Sequence, residues 1–140
     1  MKDNKGITLV ALVITIIVLL ILAGVTIASL SGDNGILTRG KEAKQMNEIG
    51  EVKDQINMLA TEAITDYYQV KYVDAGATTK LDEPGKASEK AAVEKYINDA
   101  KASFKNVSVT YSASTITIKS SDGGKQVTGT VGTNGKITWN

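Results

Sequence analysis

The stretch ITLVALVITIIVLLILAGVTIASL, residues 7–30, decides how the rest of the chain is read. Its 24 residues include no charge, no side-chain amide and no proline. Coiled as a helix it would extend roughly 36 Å at about 1.5 Å per residue, enough to cross a bilayer core of about 30 Å with some tilt. A soluble protein could hide such a helix only behind apolar surface on every side, and the remaining residues are too polar to supply it. The segment is therefore read as transmembrane. In front of it, MKDNKG carries Lys2 and Lys5. The positive-inside rule keeps that end cytoplasmic and puts the bulk of the chain outside. A secretory signal peptide combines a shorter apolar region with a small-residue cleavage site. Ala23-Gly24 and Ala28-Ser29-Leu30 meet the second condition, while the run is longer than usual, so cleavage there stands as the less favoured reading.

Within the run, Thr8, Thr15 and Thr26 fall within roughly 20° of one line at about 100° per residue. Two readings of this stripe stand side by side. The hydroxyls mark a seam where neighbouring helices hydrogen-bond, or each bonds its own preceding carbonyl and tolerates lipid. Gly24 and Ala28 form a small-xxx-small pair that lets another helix approach closely. Leu, Ile and Val cover the remaining surface, so the helix can exchange lipid for like helices without burying polarity.

The leader ending in Lys5-Gly6, followed at once by Ile7-Thr8-Leu9-Val10 and an unbroken apolar helix, resembles the class III leader of type IV pilins and pseudopilins, in a Gram-positive, clostridia-like form. The resemblance runs from Lys5 to about Tyr72. It implies that a prepilin peptidase cuts between Gly6 and Ile7 and methylates the new N-terminus. Removing residues 1–6 takes two of 16 basic and one of 15 acidic residues, leaving 14 of each. One position departs from the family pattern: Ala11 stands where the family usually has a glutamate, thought to neutralise a neighbouring subunit's amine in the filament core. Nothing acidic replaces it before Asp33.

Ser31-Gly32-Asp33-Asn34-Gly35 combines two glycines with cap- and turn-forming residues, and residues 31–35 are expected to act as a hinge around Gly32 and Gly35. A calcium reading of Asp33-Asn34-Gly35 lacks the 12-residue loop pattern. From residue 36 to about 72, Met46, Ile49, Val52, Ile56, Leu59, Ala63 and Tyr67 recur every three or four residues, an amphipathic helix. Gly50 weakens it by about 1 kcal/mol relative to alanine. A loop over residues 74–85 leads to a shorter helix from Ser88 to about Ser103, capped by Ser88 and carrying Val93, Tyr96, Ile97, Ala100 and Phe104 on one face.

After Asn106 the period falls to two: Val107, Val109 and Tyr111, then Ile116 and Ile118, then Val127 and Val131, then Ile137 and Trp139. Turns at Ser112-Ala113-Ser114, Asp122-Gly123-Gly124 and Thr133-Asn134-Gly135 make these a four-stranded antiparallel meander. Its apolar face needs a cover, and the amphipathic helix supplies one. The expected class is α+β: a long N-terminal helix, half transmembrane and half amphipathic, packed on a small C-terminal antiparallel sheet, as in pilins. The expected organisation is a leader at 1–6, a transmembrane and assembly helix at 7–30, a hinge at 31–35 and a head at 36–140.

Catalysis is a poor fit. With neither histidine nor cysteine, the chain lacks the commonest general base, the thiol nucleophile and the usual zinc ligands. No Ser-x-x-Lys, Gly-x-Ser-x-Gly or Walker sequence occurs. No cofactor or metal is expected. A formal charge of +1 and a single arginine, Arg39, give no field for nucleic acid. Lys86, Lys90, Lys95, Lys101 and Lys105 alternate with Glu83, Glu89, Glu94 and Asp99 as on a solvated helix. Asn106-Val107-Ser108 matches a glycosylation sequon. The resemblance implies a structural subunit of a surface filament serving adhesion, secretion or a related role. Its partners would be copies of itself, other pilins, the prepilin peptidase and, before assembly, the cell membrane, which it crosses once. The competing expectation is a membrane-anchored surface binding module that keeps its leader and never polymerises, a reading that Ala11 favours.

Overall fold

The computed structural model describes residues 4–140. Met1, Lys2 and Asp3 of the expected leader lie outside the described residues. The elements in chain order are α1 (Asn4–Ser31), α2 (Ile36–Tyr68), a wider π turn (Gln69–Val73), α3 (Glu89–Ala100) and strands β1 (Val107–Ser112), β2 (Thr115–Ser120), β3 (Gln126–Val131) and β4 (Ile137–Trp139). This is the α+β arrangement expected from the periodicities. Two compact units divide the chain, Met1–Ala43 and Lys44–Asn140.

In the second unit the strands form a meander in the order β1-β2-β3-β4, every pair antiparallel. The registers place Tyr111 opposite Ile116 and Ile118 opposite both Val109 and Val127, so alternate residues collect on one face. That face carries the core: Ile116 and Ile118 are fully buried and pack with Ile49, Val52 and Ile56 of α2 and Val93, Tyr96 and Ile97 of α3. Residues one position out of phase, such as Thr110, Thr117, Thr128 and Thr130, line the other face, as the period of two requires.

The first hairpin turns through Ala113 and Ser114 with φ of 50° and 67°. Two positive values match a primed turn, whose twist suits a two-residue hairpin. Here no glycine supplies it. At the third turn Gly135, with φ of 78°, is wedged against α3: a Cβ there would lie 3.0 Å from Val93 Cγ2. Only a glycine fits both demands.

The buried stripe of α2 differs in detail from the expected one. Gln45 and Ala60 take interior positions, Met46 is half exposed and Leu59 is only partly covered. The observed series 45, 49, 52, 56, 60, 63, 67 advances about 3.7 residues per turn, close to the α-helical 3.6. Choosing the most apolar residue in each turn misplaced the stripe by one residue at its first position, Met46 for Gln45, and at its fifth, Leu59 for Ala60. Gln45 is admitted because its amide donates to Asp122 Oδ2 at 2.5 Å, in the β2–β3 turn. Asp122 also accepts from Ser120 Oγ and from the Gly124 amide, both at 2.9 Å.

The helix α3 starts where Ser88 was expected to cap it, with Ser88 Oγ accepting from the Ala91 amide at 3.0 Å. It ends at Ala100, earlier than the expected Ser103. Residues 101–103 continue as a turn closed by the Ser103 amide on the Ala100 carbonyl, at 2.9 Å. Tyr68 donates to Glu89 Oε1 at 2.5 Å and so joins the end of α2 to the first turn of α3.

Candidate membrane-spanning helix

The sequence of α1 permits an unbroken helix despite Gly6, Gly24 and many β-branched residues, since it has no proline and its hydroxyls lie where a preceding carbonyl is in reach. Thr15 Oγ1 donates to the Ala11 carbonyl and Thr26 Oγ1 to the Leu22 carbonyl, both at 2.7 Å, and Ser29 Oγ donates to the Val25 carbonyl at 3.0 Å. Of the two readings of the threonine stripe, the geometry at Thr15 and Thr26 is the self-satisfied one. Thr8 lies beside Lys5, Leu9 and Leu12 at the start of the helix.

Every large apolar side chain from Ile7 to Ile27 is between 47% and 67% exposed. Covering the open part of one such side chain is worth roughly 1 kcal/mol. Fifteen of them therefore represent a driving force comparable to the whole stability of a domain, about 5–15 kcal/mol. A helix of this length and composition is long and apolar enough to cross a bilayer, and no acidic or basic residue follows Lys5 until Asp33. Gly24 leaves open space on its flank, with no atom within 4 Å of a Cβ built there. Ala28, one turn on, gives its carbonyl to the Gly32 amide at 3.0 Å. Gly6 is equally open, and Ile7 beside it is 66% exposed.

Residues 32–35 interrupt the helix tightly. The Gly35 amide donates to the Gly32 carbonyl at 2.8 Å, which also accepts from Thr38 Oγ1 at 2.8 Å, and the Gly35 carbonyl receives the Arg39 amide at 3.0 Å. Neither Gly32 nor Gly35 has a positive φ. Gly35 is needed for room instead: a Cβ would sit 2.6 Å from the Leu30 carbonyl oxygen and 2.7 Å from that of Ser29. Gly32 is less constrained, with its nearest neighbour, the Ala28 oxygen, at 3.2 Å. Sequence reasoning found both glycines as hinge residues within a cap- and turn-forming segment, without the steric demand at Gly35. The close approach that fixes Gly35 has no signature in a single chain.

Among the described residues no three His, Cys, Asp or Glu side chains are gathered as metal ligands. Comparison of the chain with protein-family models, curated proteins and solved structures gives no match.

Proposed function

We propose that the chain is a structural subunit of an extracellular type IV pilus or pseudopilus. It enters the cell membrane by residues 7–30, is trimmed between Gly6 and Ile7, methylated at Ile7, and assembled by packing α1 against the same helix in other copies. The observation that carries this reading is an α1 with apolar side chains exposed around it and with the hydroxyls of Thr15 and Thr26 already bonded to its own backbone. Such a helix moves from lipid into a bundle of like helices without stripping water from a charge or orphaning a donor. The Lys5-Gly6 junction directly before that helix supports the processing step. Ala11 supports a second reading, a single-pass anchored binding module that retains its leader.

Mass spectrometry of the N-terminal peptide in material sheared from the cell surface separates the two. A methylated Ile7 N-terminus in a high-molecular-weight sheared fraction is the expected result. Met1 alone, found only in detergent-extracted membranes, would replace the filament with the anchored module.

A further inference from the structure

We propose that Asn106 is an attachment site for an N-linked glycan, whose first sugar lies in a groove of the second unit against the ring of Phe104. Phe104-Lys105-Asn106-Val107-Ser108 contains the Asn-x-Ser acceptor pattern. The pattern alone is common, so its presentation in the fold decides the case. Asn106 ends the α3–β1 connection and is exposed, and so is Ser108, the second residue of β1. Val107 between them packs against the core. The strand β1 lies at the edge of the sheet, which leaves this segment open to an enzyme from one side. Among the described residues neither the Asn106 amide nor the Ser108 hydroxyl is taken up in a side-chain hydrogen bond. Asn106 has φ of 64°, a conformation that asparagine tolerates better than most residues. That backbone demand accounts for an asparagine or a glycine there, and the groove beside it is the second observation.

Asn106 forms part of the wall of a groove of about 270 Å³ between α2 and the α3–β1 connection. Sites for drug-sized molecules span roughly 300–1,000 Å³, so this smaller one suits a single sugar ring. Val52 and Phe104 give it an apolar side, Gln55 and Ser103 a polar one. Phe104 packs against the core, which holds its ring in place. A pyranose has the same two-sided character, with C–H groups on a face and hydroxyls around the rim. Its slightly positive C–H groups favour the negative face of an aromatic ring, while the hydroxyls bond to Gln55 and Ser103. A sugar already joined to Asn106 needs little affinity of its own, because the link holds it at high local concentration. Attachment joins Asn106 Nδ2 to the anomeric carbon of a lipid-linked oligosaccharide diphosphate. The bond from that carbon to the phosphate oxygen breaks, the lipid diphosphate leaves with the electron pair, and the amide gives up one proton to solvent. The filament and the anchored module both put residue 106 outside the membrane, so attachment is compatible with either.

The full-length chain is recovered from its source cells, from sheared material and from detergent-extracted membranes alike, and digested with trypsin. Cleavage after Lys105 and Lys119 releases residues 106–119, or 102–119 where a glycan blocks the first cut. The expected peptide carries a sugar mass that an amide-cleaving glycosidase removes in heavy-oxygen water, leaving a labelled aspartate at position 106. Ser108→Ala and Asn106→Gly should abolish that mass, and Ser108→Thr should keep it. An unmodified peptide in both fractions, or a sugar mass that survives Ser108→Ala, overturns the site. The groove contact is read by thermal unfolding in detergent. Ser108→Ala should lower the unfolding temperature of the glycosylated chain by about 4–8 °C. The shift should fall at least threefold in the Phe104→Leu background and in chain made in cells without the transferase. Equal shifts with Phe104 and with leucine there, or an equal shift in unglycosylated chain, overturn the contact with Phe104. Failure of the filament is read separately, by the absence of high-molecular-weight sheared material, and leaves the attachment scored on the membrane fraction.

Discussion

The bond from Gln45 to Asp122 joins the part of α2 that enters the second unit to the β2–β3 turn, 77 residues further along the chain, and its worth can be isolated. Gln45 is 6% exposed and Asp122 lies at the surface, so the pair is neither fully dry nor freely solvated. Gln45→Met keeps the volume and removes the amide. Asp122 then keeps its bonds from Ser120 and Gly124 and gains water, so the loss should be about 1 kcal/mol, near the mean for a hydrogen bond with one charged partner partly exposed. Asp122→Ala removes all three bonds and leaves the Ser120 hydroxyl, on a residue 3% exposed, without its acceptor. That should cost about 3 kcal/mol. If the amide acts through Asp122, Gln45→Met should cost almost nothing more in the Asp122→Ala background, a coupling of about 1 kcal/mol in a double-mutant cycle. The assay is thermal unfolding of the full chain in detergent, followed by circular dichroism, where 1 kcal/mol corresponds to about 4–8 °C for a unit of this size. Equal effects of Gln45→Met with and without Asp122 would refute the argument.

Gly50→Ala and Gly129→Ala should act in opposite directions. Gly50 lies inside α2 with nothing within 4 Å of a Cβ, so alanine should raise stability by about 0.5–1 kcal/mol. At Gly129 a Cβ would lie 2.7 Å from Trp139 Cε3 and displace the indole, whose Nε1 donates to Asn57 Oδ1 at 3.0 Å, costing about 2 kcal/mol or more. Both are read by the same thermal assay. The Tyr111 hydroxyl is buried without a hydrogen-bond partner among the described residues, so Tyr111→Phe should raise the unfolding temperature. Burial first, and then the nearby Glu94 carboxylate, push its pKa up to about 12 from an ordinary 10.0. Between those two values the unfolded chain has released that proton and the folded chain still holds it. Stability should therefore fall as pH rises from 10 towards 12, with a shallower fall in Tyr111→Phe, checked by unfolding at stepped alkaline pH. Gly35→Ala brings a Cβ to within 2.6 and 2.7 Å of the Leu30 and Ser29 carbonyl oxygens and should open the turn at residues 32–35 to limited proteolysis, whereas Gly32→Ala, whose Cβ would have its nearest neighbour at 3.2 Å, should leave cleavage nearly unchanged.

The elements legible in the sequence were those whose periodicity is carried by many residues at once. The apolar run, the spacing from Ile49 to Tyr67 and the alternation through β1 and β2 each repeat one instruction several times, so single exceptions do not hide it. Ser88 was legible because an N-cap acts on the amide three residues away. Gln45 was not, since its burial depends on Asp122, and a pairing across that sequence distance leaves no local pattern. The same limit applies to the π turn Gln69–Val73, where the helical spacing of apolar residues simply runs out and Tyr72 and Val73 are exposed. Exposed apolar positions on α2 are less legible still. Met58 and Leu37 satisfy a helical period as well as any neighbour, and only their exposure, at 71% and 63%, distinguishes them from the core they resemble. Apolar side chains kept on the outside of a helix, at no gain to its own unit, are the positions where contacts with lipid or with other copies are to be sought.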